Sequence, residues 1–292
     1  MRPGNNPHPG EMAPMIIERD AKPTLTVIEM DPEDELKFTT GEGRRHSLRL
    51  KGACACRLEE IYGNSGITPQ AAKGAYRFWC RLIIDGHEIQ LNRYVGTQES
   101  FYQPRVFNGL RIWFDAVEEI FQIMEETHGA CRPGKRARLV VQDACRRICP
   151  DRLLPWCPLP PDGLRITDCY RGEDCWMGPY DGNSAHGGLD INHPAGTPLR
   201  TPIAFDDQEL FNSLARGDGN NRWRGVREWD DGSKWVLKSS HVIRLRVPEN
   251  TPLPGGLHYA DGAGAAVGCR EHSHFEFEVH EYGESYTIDP WI

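Results

Sequence analysis

Residues 271–279 read EHSHFEFEV, and their alternation of polar and apolar side chains indicates a β-strand with two unlike faces. Because successive side chains of a strand point to opposite faces, His272 and His274 share the polar face with two glutamates. The other face, which resembles a protein core, carries Ser273, Phe275, Phe277 and Val279. The two imidazoles lie about 7 Å apart, close enough to serve one metal site. A half-exposed antiparallel strand would give the same pattern, so the interpretation depends on partners elsewhere in the chain.

A second segment, AHGGLDINHPAGTPLRTPI at 185–203, places His186 four residues before Asp190. The Gly187–Gly188 pair between them disfavours a helix, since each glycine costs about 1 kcal/mol in a helix interior. In an extended segment, positions i and i+4 point to the same face, so the imidazole and the carboxylate converge. A loop histidine beside a turn-forming aspartate remains the alternative for this segment taken alone.

A third histidine, His241, begins a strand in SSHVIRLRV; taken alone, it would be an exposed or hydrogen-bonded histidine. Together, His186, Asp190 and His274 offer two nitrogens and one oxygen, a ligand set that suits one Zn²⁺ ion. Three protein ligands leave a fourth position for water, as in catalytic zinc sites, and zinc lowers the pKa of that water. His272 and His241 are then spare imidazoles that can accept or donate a proton.

Three motifs follow one another in the order HGGLDINHPAGTPL, SSHVIRL and EHSHFEFEV. In this order they resemble the lysostaphin-type (LytM-like) zinc metallopeptidases. That family has an H-x3-D motif with a G-T-P loop, a middle histidine heading a strand, and a late H-x-H strand followed by phenylalanine and an acidic residue. The resemblance covers roughly residues 165–285 and implies an antiparallel β-sheet with zinc in a groove between loops. It implies zinc binding by His186, Asp190 and His274, and catalytic roles for His241 and His272.

The resemblance also implies the substrate, because such enzymes cleave peptide bonds in bacterial cell-wall peptides, often next to glycine. Tyr180 stands six residues before His186, where a tyrosine of the family can stabilise the oxyanion. A turn tyrosine packed on the sheet is the alternative for Tyr180. One departure is Ser273, which stands inside the late motif where family members often have leucine.

Three other functions remain open from the sequence. The first is a catalytically silent or latent LytM-like module that binds cell-wall material or a partner. The second is a zinc hydrolase acting on another amide. The third is a structural, disulfide-rich β protein, which would leave the five polar motif residues without a role.

The composition excludes several classes of partner. The chain has 292 residues and a formal net charge of −8, so it offers no basic face for nucleic acid or an anionic membrane surface. No stretch approaches the roughly 18 apolar residues that a membrane span needs. The opening residues are polar and rich in proline and glycine, without the apolar segment of a signal peptide. A secreted or periplasmic protein, which the resemblance favours, would therefore have a leader outside this chain.

Ten cysteines are many for a cytosolic protein of this size, so we expect disulfides and an oxidising compartment. The stretch DCYRGEDC suggests a local disulfide between Cys169 and Cys175. A set of buried free thiols is the alternative.

The sequence predicts a mainly β chain with two domains. The N-terminal domain is β-rich and sandwich-like, with strands at 25–31, 46–51 and 137–142, a hairpin at 76–95 and one helix at 112–126. A strand or hairpin is expected at 234–247 of the peptidase domain. The N-terminal domain either recognises substrate or covers the groove, in which case His46 or His87 could reach the zinc; surface histidines without such a role are the favoured alternative for both. The predicted boundaries are a disordered tail at 1–24, the β-rich domain at 25–150, a Pro-rich linker at 151–164 and the zinc peptidase domain at 165–292.

Overall fold

The computed structural model describes residues 13–62, 72–124, 126–146, 164–169, 175–180, 184–211, 221–262 and 272–292, which form a mainly β fold. The N-terminal half contains β1 (Ile16–Asp20), β2 (Thr26–Met30), β3 (Glu35–Thr39), β4 (Arg45–Tyr62), β5 (Ala72–Ile84), β6 (His87–Val95), β7 (Arg105–Phe107), β8 (Leu110–Val117), β9 (Glu126–His128) and β10 (Ala137–Asp143). The C-terminal half contains β11 (Pro179–Tyr180), β12 (Ser184–His186), β13 (Leu189–Asn192), β14 (Pro198–Arg200), β15 (Asp207–Phe211), β16 (Asn221–Glu228), β17 (Lys234–Leu245), β18 (His258–Gly262), β19 (His272–Glu281) and β20 (Glu284–Ile288). The short helix α1 (Ile120–Ile123) and two 3-10 turns, Gln98–Ser100 and Ile166–Asp168, complete the described elements.

Two sheets build the N-terminal half, in the orders β1-β3-β4-β5-β6 and β2-β10-β8-β7. They face each other, with Phe78 of β5 edge-on to Phe114 of β8 at 6.4 Å between ring centroids. The predicted hairpin is confirmed: Asp85 and Gly86 connect β5 to β6 with φ angles of 51° and 84°, as a type I′ turn requires. The strands predicted at 25–31, 46–51 and 137–142 are confirmed as β2, β4 and β10.

The helix predicted over 112–126 is wrong, because residues 112–117 belong to strand β8 and only four later residues are helical. All eight residues of β8 are buried, and the strand pairs with β10 on one side and β7 on the other. A continuous apolar run satisfies the helical period and the strand period equally, so periodicity could not distinguish them. The helical part is α1, a single turn of four residues.

The N-terminal segment 1–24, predicted as a disordered tail, contributes a strand to the fold. Its residues 1–12 lie outside the described residues, whereas β1 pairs in parallel with β3 and buries Ile17. The Pro-rich linker at 151–164 falls almost entirely outside the described residues, so it stays a prediction.

The C-terminal half is built on an antiparallel sheet, as predicted. Its strands run in the order β13-β19-β17-β16-β15, with β20 beside β19 and β18 between β17 and β14. The run predicted at 234–247 is the single strand β17. The face of β19 predicted to be core is buried, since Ser273, Phe275, Phe277 and Val279 are each fully inaccessible to solvent.

Buried polar contacts join the two halves. The Arg93 guanidinium donates to the Asp289 carboxylate at 2.6 Å, and the Asp289 backbone N–H donates to Asp115 at 2.8 Å. The Val27 backbone N–H donates to the buried Glu281 carboxylate at 2.6 Å. These polar contacts between the two halves are buried, so they do not mark a solvated boundary between separate domains. The division into two domains therefore stays a prediction.

A small three-stranded sheet also joins the halves. In it, β12 pairs antiparallel with β11 and parallel with β9 of the N-terminal half. The segment that follows β9 comes so close that a Cβ on Gly187 would lie 2.0 Å from the Gly129 carbonyl carbon. Only glycine at 187 permits this approach, because real Cβ contacts essentially never fall below 3.0 Å.

The cysteines do not follow the prediction. Among the seven cysteines that the structure describes, none forms a disulfide, and the expected Cys169–Cys175 bond is therefore wrong. The Cys175 thiol donates to the Ser100 hydroxyl at 3.4 Å, and burial raises the pKa of this thiol to about 11. No helix in the described ranges is both long and apolar enough to cross a membrane.

Candidate metal centre

Strand pairing brings the three predicted ligands together. In the antiparallel pair β13–β19, Asp190 lies directly opposite His274. His186 is the last residue of β12, the strand that precedes β13 in the chain. His274 Nδ1 lies 2.6 Å from Asp190 Oδ1 and 3.2 Å from His186 Nε2, and the His186 and Asp190 atoms are 3.5 Å apart. His186 and Asp190 are almost inaccessible, at 0% and 2% exposure. Two side chains four residues apart and a third 84 residues after Asp190 therefore bring three potential metal ligands to one point.

The separations fit a divalent ion. Zinc bonds of about 2.0–2.1 Å in a tetrahedron place ligand atoms about 3.3 Å apart. The three separations of 2.6, 3.2 and 3.5 Å bracket this value. The donor set of two imidazoles and one carboxylate is also one that zinc binds in catalytic sites.

The remaining ring nitrogens fix the tautomers of both histidines. His186 Nδ1 lies 3.3 Å from the Cys175 carbonyl oxygen, which can only accept, so Nδ1 carries the proton and Nε2 keeps its lone pair. His274 Nε2 lies 3.1 Å from Glu276 Oε1 and donates there, so a metal that displaces the Nδ1 proton would find Nδ1 as the ligand atom. A carboxylate behind a metal-binding imidazole is the usual orienting arrangement. Glu276 was placed on the same face as His274 by the strand period, but its orienting contact was missed.

Electrostatics at this cluster favour a cation. Burial alone would lower the pKa of His274, yet Asp190 and Glu276 raise it to about 10. Burial would raise the pKa of Asp190, but His186 and His274 hold it well below its usual range. Asp190 is therefore a carboxylate that requires positive charge beside it.

Gly188 has a contact of its own with this cluster. A Cβ at this position would lie 2.4 Å from Cε1 and 2.7 Å from Nε2 of His274, and 2.6 Å from the Phe275 carbonyl oxygen. The glycine pair was predicted to prevent a helix. In the structure, both glycines are required because other parts of the chain come very close. Residue 187 lies against Gly129, and residue 188 lies against His274.

The two further histidines lie together beside the cluster. The ring centroids of His241 and His272 are 4.6 Å apart, and His272 Nε2 is 3.8 Å from Asp190 Oδ2. Burial, with His272 next to it, lowers the pKa of His241 to about 4, so its ring is neutral at neutral pH. Within the described parts of the chain, His241 Nδ1 is buried without a hydrogen-bond partner.

A β-bulge places His241 there. The prediction that His241 begins a strand is wrong, because His241 lies inside β17. Its φ of 62° is uncommon for a residue with a side chain. Its neighbours Ser240 and Val242 pair with adjacent residues of β16, so His241 is the extra residue of the bulged strand. Bulges of this kind redirect a side chain, and a strained backbone at such a point is typical of functional sites.

The other predicted site residues are placed elsewhere or remain untested. Tyr180 ends β11, whose backbone pairs with Ser184, and its role at an oxyanion stays a prediction. His46 Nδ1 lies 2.8 Å from Asp85 Oδ2, and the His87 ring packs against Phe107 at 6.0 Å. Both histidines therefore have partners within the N-terminal sheets and are not part of the metal-ligating group.

No family model and no curated protein matches the chain. Among solved structures, the antimicrobial peptidase lysostaphin from Staphylococcus simulans matches 36% of this chain and 41% of its own, at 20% identity and a TM-score of 0.30. A zinc-containing peptidase from Vibrio cholerae matches 91% of this chain and 84% of its own, at 11% identity and a TM-score of 0.32.

A third match is a variant of the catalytic domain of the prophage-encoded M23 protein EnpA from Enterococcus faecalis, at 19% identity and a TM-score of 0.27. It covers 36% of this chain and 76% of that domain. The chain thus spans about two fifths of the length of the lysostaphin chains it matches. These structural matches include lysostaphin itself, a member of the family that the sequence motifs resemble. With TM-scores near 0.3, these likenesses assign no residue role, activity or substrate.

Proposed function

We propose that the protein is a zinc-dependent metalloendopeptidase that hydrolyses peptide bonds, with bacterial cell-wall peptidoglycan peptides as its substrate class. One Zn²⁺ ion would be held by His186 Nε2, Asp190 Oδ1 and His274 Nδ1. The observation that carries this proposal is the convergence of these atoms at 2.6–3.5 Å while the other imidazole nitrogens donate to Cys175 and Glu276. Such an arrangement leaves three lone pairs aimed at one point and room for a fourth ligand.

When bound, zinc supplies a Lewis acid for the scissile carbonyl and a water of lowered pKa. His241 and His272 lie side by side next to Asp190, where they would be able to exchange protons with that water. One imidazole would accept a proton from the water and, as the resulting imidazolium, would pass that proton to the departing amine, while the other would stabilise the tetrahedral intermediate. Tyr180 would donate a hydrogen bond to the developing oxyanion.

The substrate class follows from the motifs and from charge. Lysostaphin-type motifs imply cell-wall peptides with glycine near the cleaved bond, and the net charge of −8 disfavours a polyanionic partner. Action on the cell wall would require the protein to be secreted or periplasmic. The groove between loops that the motif resemblance implies would receive the extended peptide.

The test compares three histidine variants of the full chain. His274→Ala should lose stoichiometric zinc, whereas His272→Ala should retain zinc and lose turnover, because only the first removes a ligand. His280→Ala, on the same strand and the same face of β19 but bonded to Glu278, is the matched control and should retain both. Zinc is measured by elemental analysis, and turnover by amine release from oligoglycine peptides and from isolated cell walls.

Two outcomes contradict the proposal in different ways. Full turnover in the His272 variant would refute the role of His272. A zinc-loaded wild-type protein that cleaves neither walls nor glycine-rich peptides would instead indicate a catalytically silent or latent binding module.

A further inference from the structure

A buried hydrogen bond lies on the face of β19 opposite the candidate metal centre. Ser273, between the two histidines of the H-x-H motif, has its hydroxyl 2.6 Å from Nε2 of His193. Ser273 is fully inaccessible and His193 is 9% exposed. His193 follows β13, the strand that carries Asp190. The bond therefore connects the strand of one ligand to the strand of another.

The direction of this bond follows from the second imidazole nitrogen. His193 Nδ1 lies 2.9 Å from the Pro194 carbonyl oxygen, which can only accept, so Nδ1 carries the proton. Nε2 is then an acceptor, and the Ser273 hydroxyl donates to it. The Pro194 carbonyl is itself held in a turn, where it also accepts from the Thr197 hydroxyl at 2.7 Å. Ser273 is thus at one end of a directional chain of hydrogen bonds that is anchored in a turn.

Close packing holds the imidazole in place. A Cβ on Gly262, at the end of β18, would lie 2.3 Å from His193 Cε1 and 3.1 Å from Ser273 Oγ. The Gly262 backbone is bonded to the same turn, donating to the Thr197 carbonyl at 2.8 Å and accepting from Gly196 at 2.9 Å. The His193 ring therefore packs closely against the Gly262 backbone of β18 while it contacts Ser273 of β19.

We propose that Ser273 and His193 are positioning residues of the metal centre, a proposal that rests on the metal site proposed above. Their bond fixes β19 against β13 midway between His272 and His274, so that both imidazoles are presented to Asp190. Metal sites tolerate ligand displacements of only about 0.2 Å, so a directional bond one residue from a ligand can control affinity. An apolar contact at the same place would fill the space without setting this position.

The test separates positioning from plain stability. Ser273→Ala is compared with Ser239→Ala, which removes an equally buried hydroxyl, bonded to the Tyr259 hydroxyl at 2.9 Å, from the neighbouring strand β17. Both variants should lose similar thermal stability. Only Ser273→Ala should weaken zinc binding, by about tenfold or more, as orienting partners of metal ligands do. With Co²⁺ in place of zinc, the visible absorption band should shift in that variant alone.

A double-variant cycle links the effect to His193. If the bond is responsible, Ser273→Ala combined with His193→Ala should weaken metal binding no more than the stronger single change. Zinc affinity in Ser273→Ala within about twofold of wild type, or an equal loss in Ser239→Ala, would overturn the inference. A wild-type protein that binds metal without cleaving peptides overturns only the proposed function, whereas one that binds no metal overturns both.

Discussion

Gly188→Ala is the sharpest perturbation of the candidate site, because it adds one carbon where the structure has no space. The new Cβ would lie 2.4 Å from Cε1 of His274. Carbon atoms pack at about 3.5 Å or more, so the ring or the strand must move by about 1 Å. The Phe275 carbonyl oxygen, 2.6 Å from the same point, blocks accommodation by the backbone of β19.

This displacement is several times the tolerance of a metal bond. The His274 ring would move by about 1 Å, whereas metal–ligand distances vary by only about 0.2 Å, so His274 would no longer reach the proposed zinc ion. Changes to residues behind a ligand weaken metal binding by about 10–100-fold, and displacement of the ligand itself should exceed that range. Overpacking should also lower the free energy of unfolding by about 1–3 kcal/mol.

Competition with a chromophoric zinc chelator measures the affinity, and thermal unfolding measures the stability. Gly52→Ala in β4 is the matched control, because no atom of the described residues lies within 4 Å of the position of its Cβ. The control should bind zinc like the wild type. If Gly188→Ala also binds zinc within about twofold of the wild type, the argument from close approach is refuted.

Three further predictions concern carboxylates that are buried or partly buried. Glu276→Gln should weaken zinc binding about tenfold in the chelator assay, while Glu278→Gln on the same face should not; equal affinities would remove the orienting role of Glu276. Burial raises the pKa of Glu281 from 4.5 to about 7. The folded state therefore binds this proton more tightly, and unfolding free energy should fall by up to about 3 kcal/mol as pH rises through that interval. Urea titrations of Glu281→Gln should lack this fall, and curves parallel to the wild type would contradict the assignment. Asp289→Ala removes the nearer carboxylate of the buried Arg93 guanidinium and leaves only Asp115, at 3.9 Å, so it should cost about 3 kcal/mol in urea unfolding, whereas a loss under about 1 kcal/mol would contradict this.

Much of the site could be predicted because it depends on local geometry. The alternation in 271–279 established which side chains of β19 share a face, since the strand period is a property of the backbone. The spacing of His186 and Asp190 around two glycines predicted an extended segment with both groups converging. The pairing of Asp190 with His274 came only from the order of family motifs, because register between distant strands is a tertiary property.

The remaining features depend on contacts that no local pattern encodes. Strand β8 is buried on both faces, and a fully apolar run carries no period that excludes a helix. The bulge at His241 needs a left-handed backbone at a residue that rarely adopts it, so nothing in SSHVIRL predicts it. The bond between Ser273 and His193 spans 80 residues, and Ser273 was identified only as a departure from the family pattern.

The parallel pairing of β9 with β12 has a practical consequence for anyone isolating the motif-bearing region. A recombinant fragment starting after residue 164 would leave β12, the strand ending in His186, with one unpaired edge, a template for association with other chains. The same cut would strip Asp289 of its guanidinium partner. Trimming to the motif-bearing region would then yield aggregated, metal-poor material, and its inactivity would be an artefact of the excision.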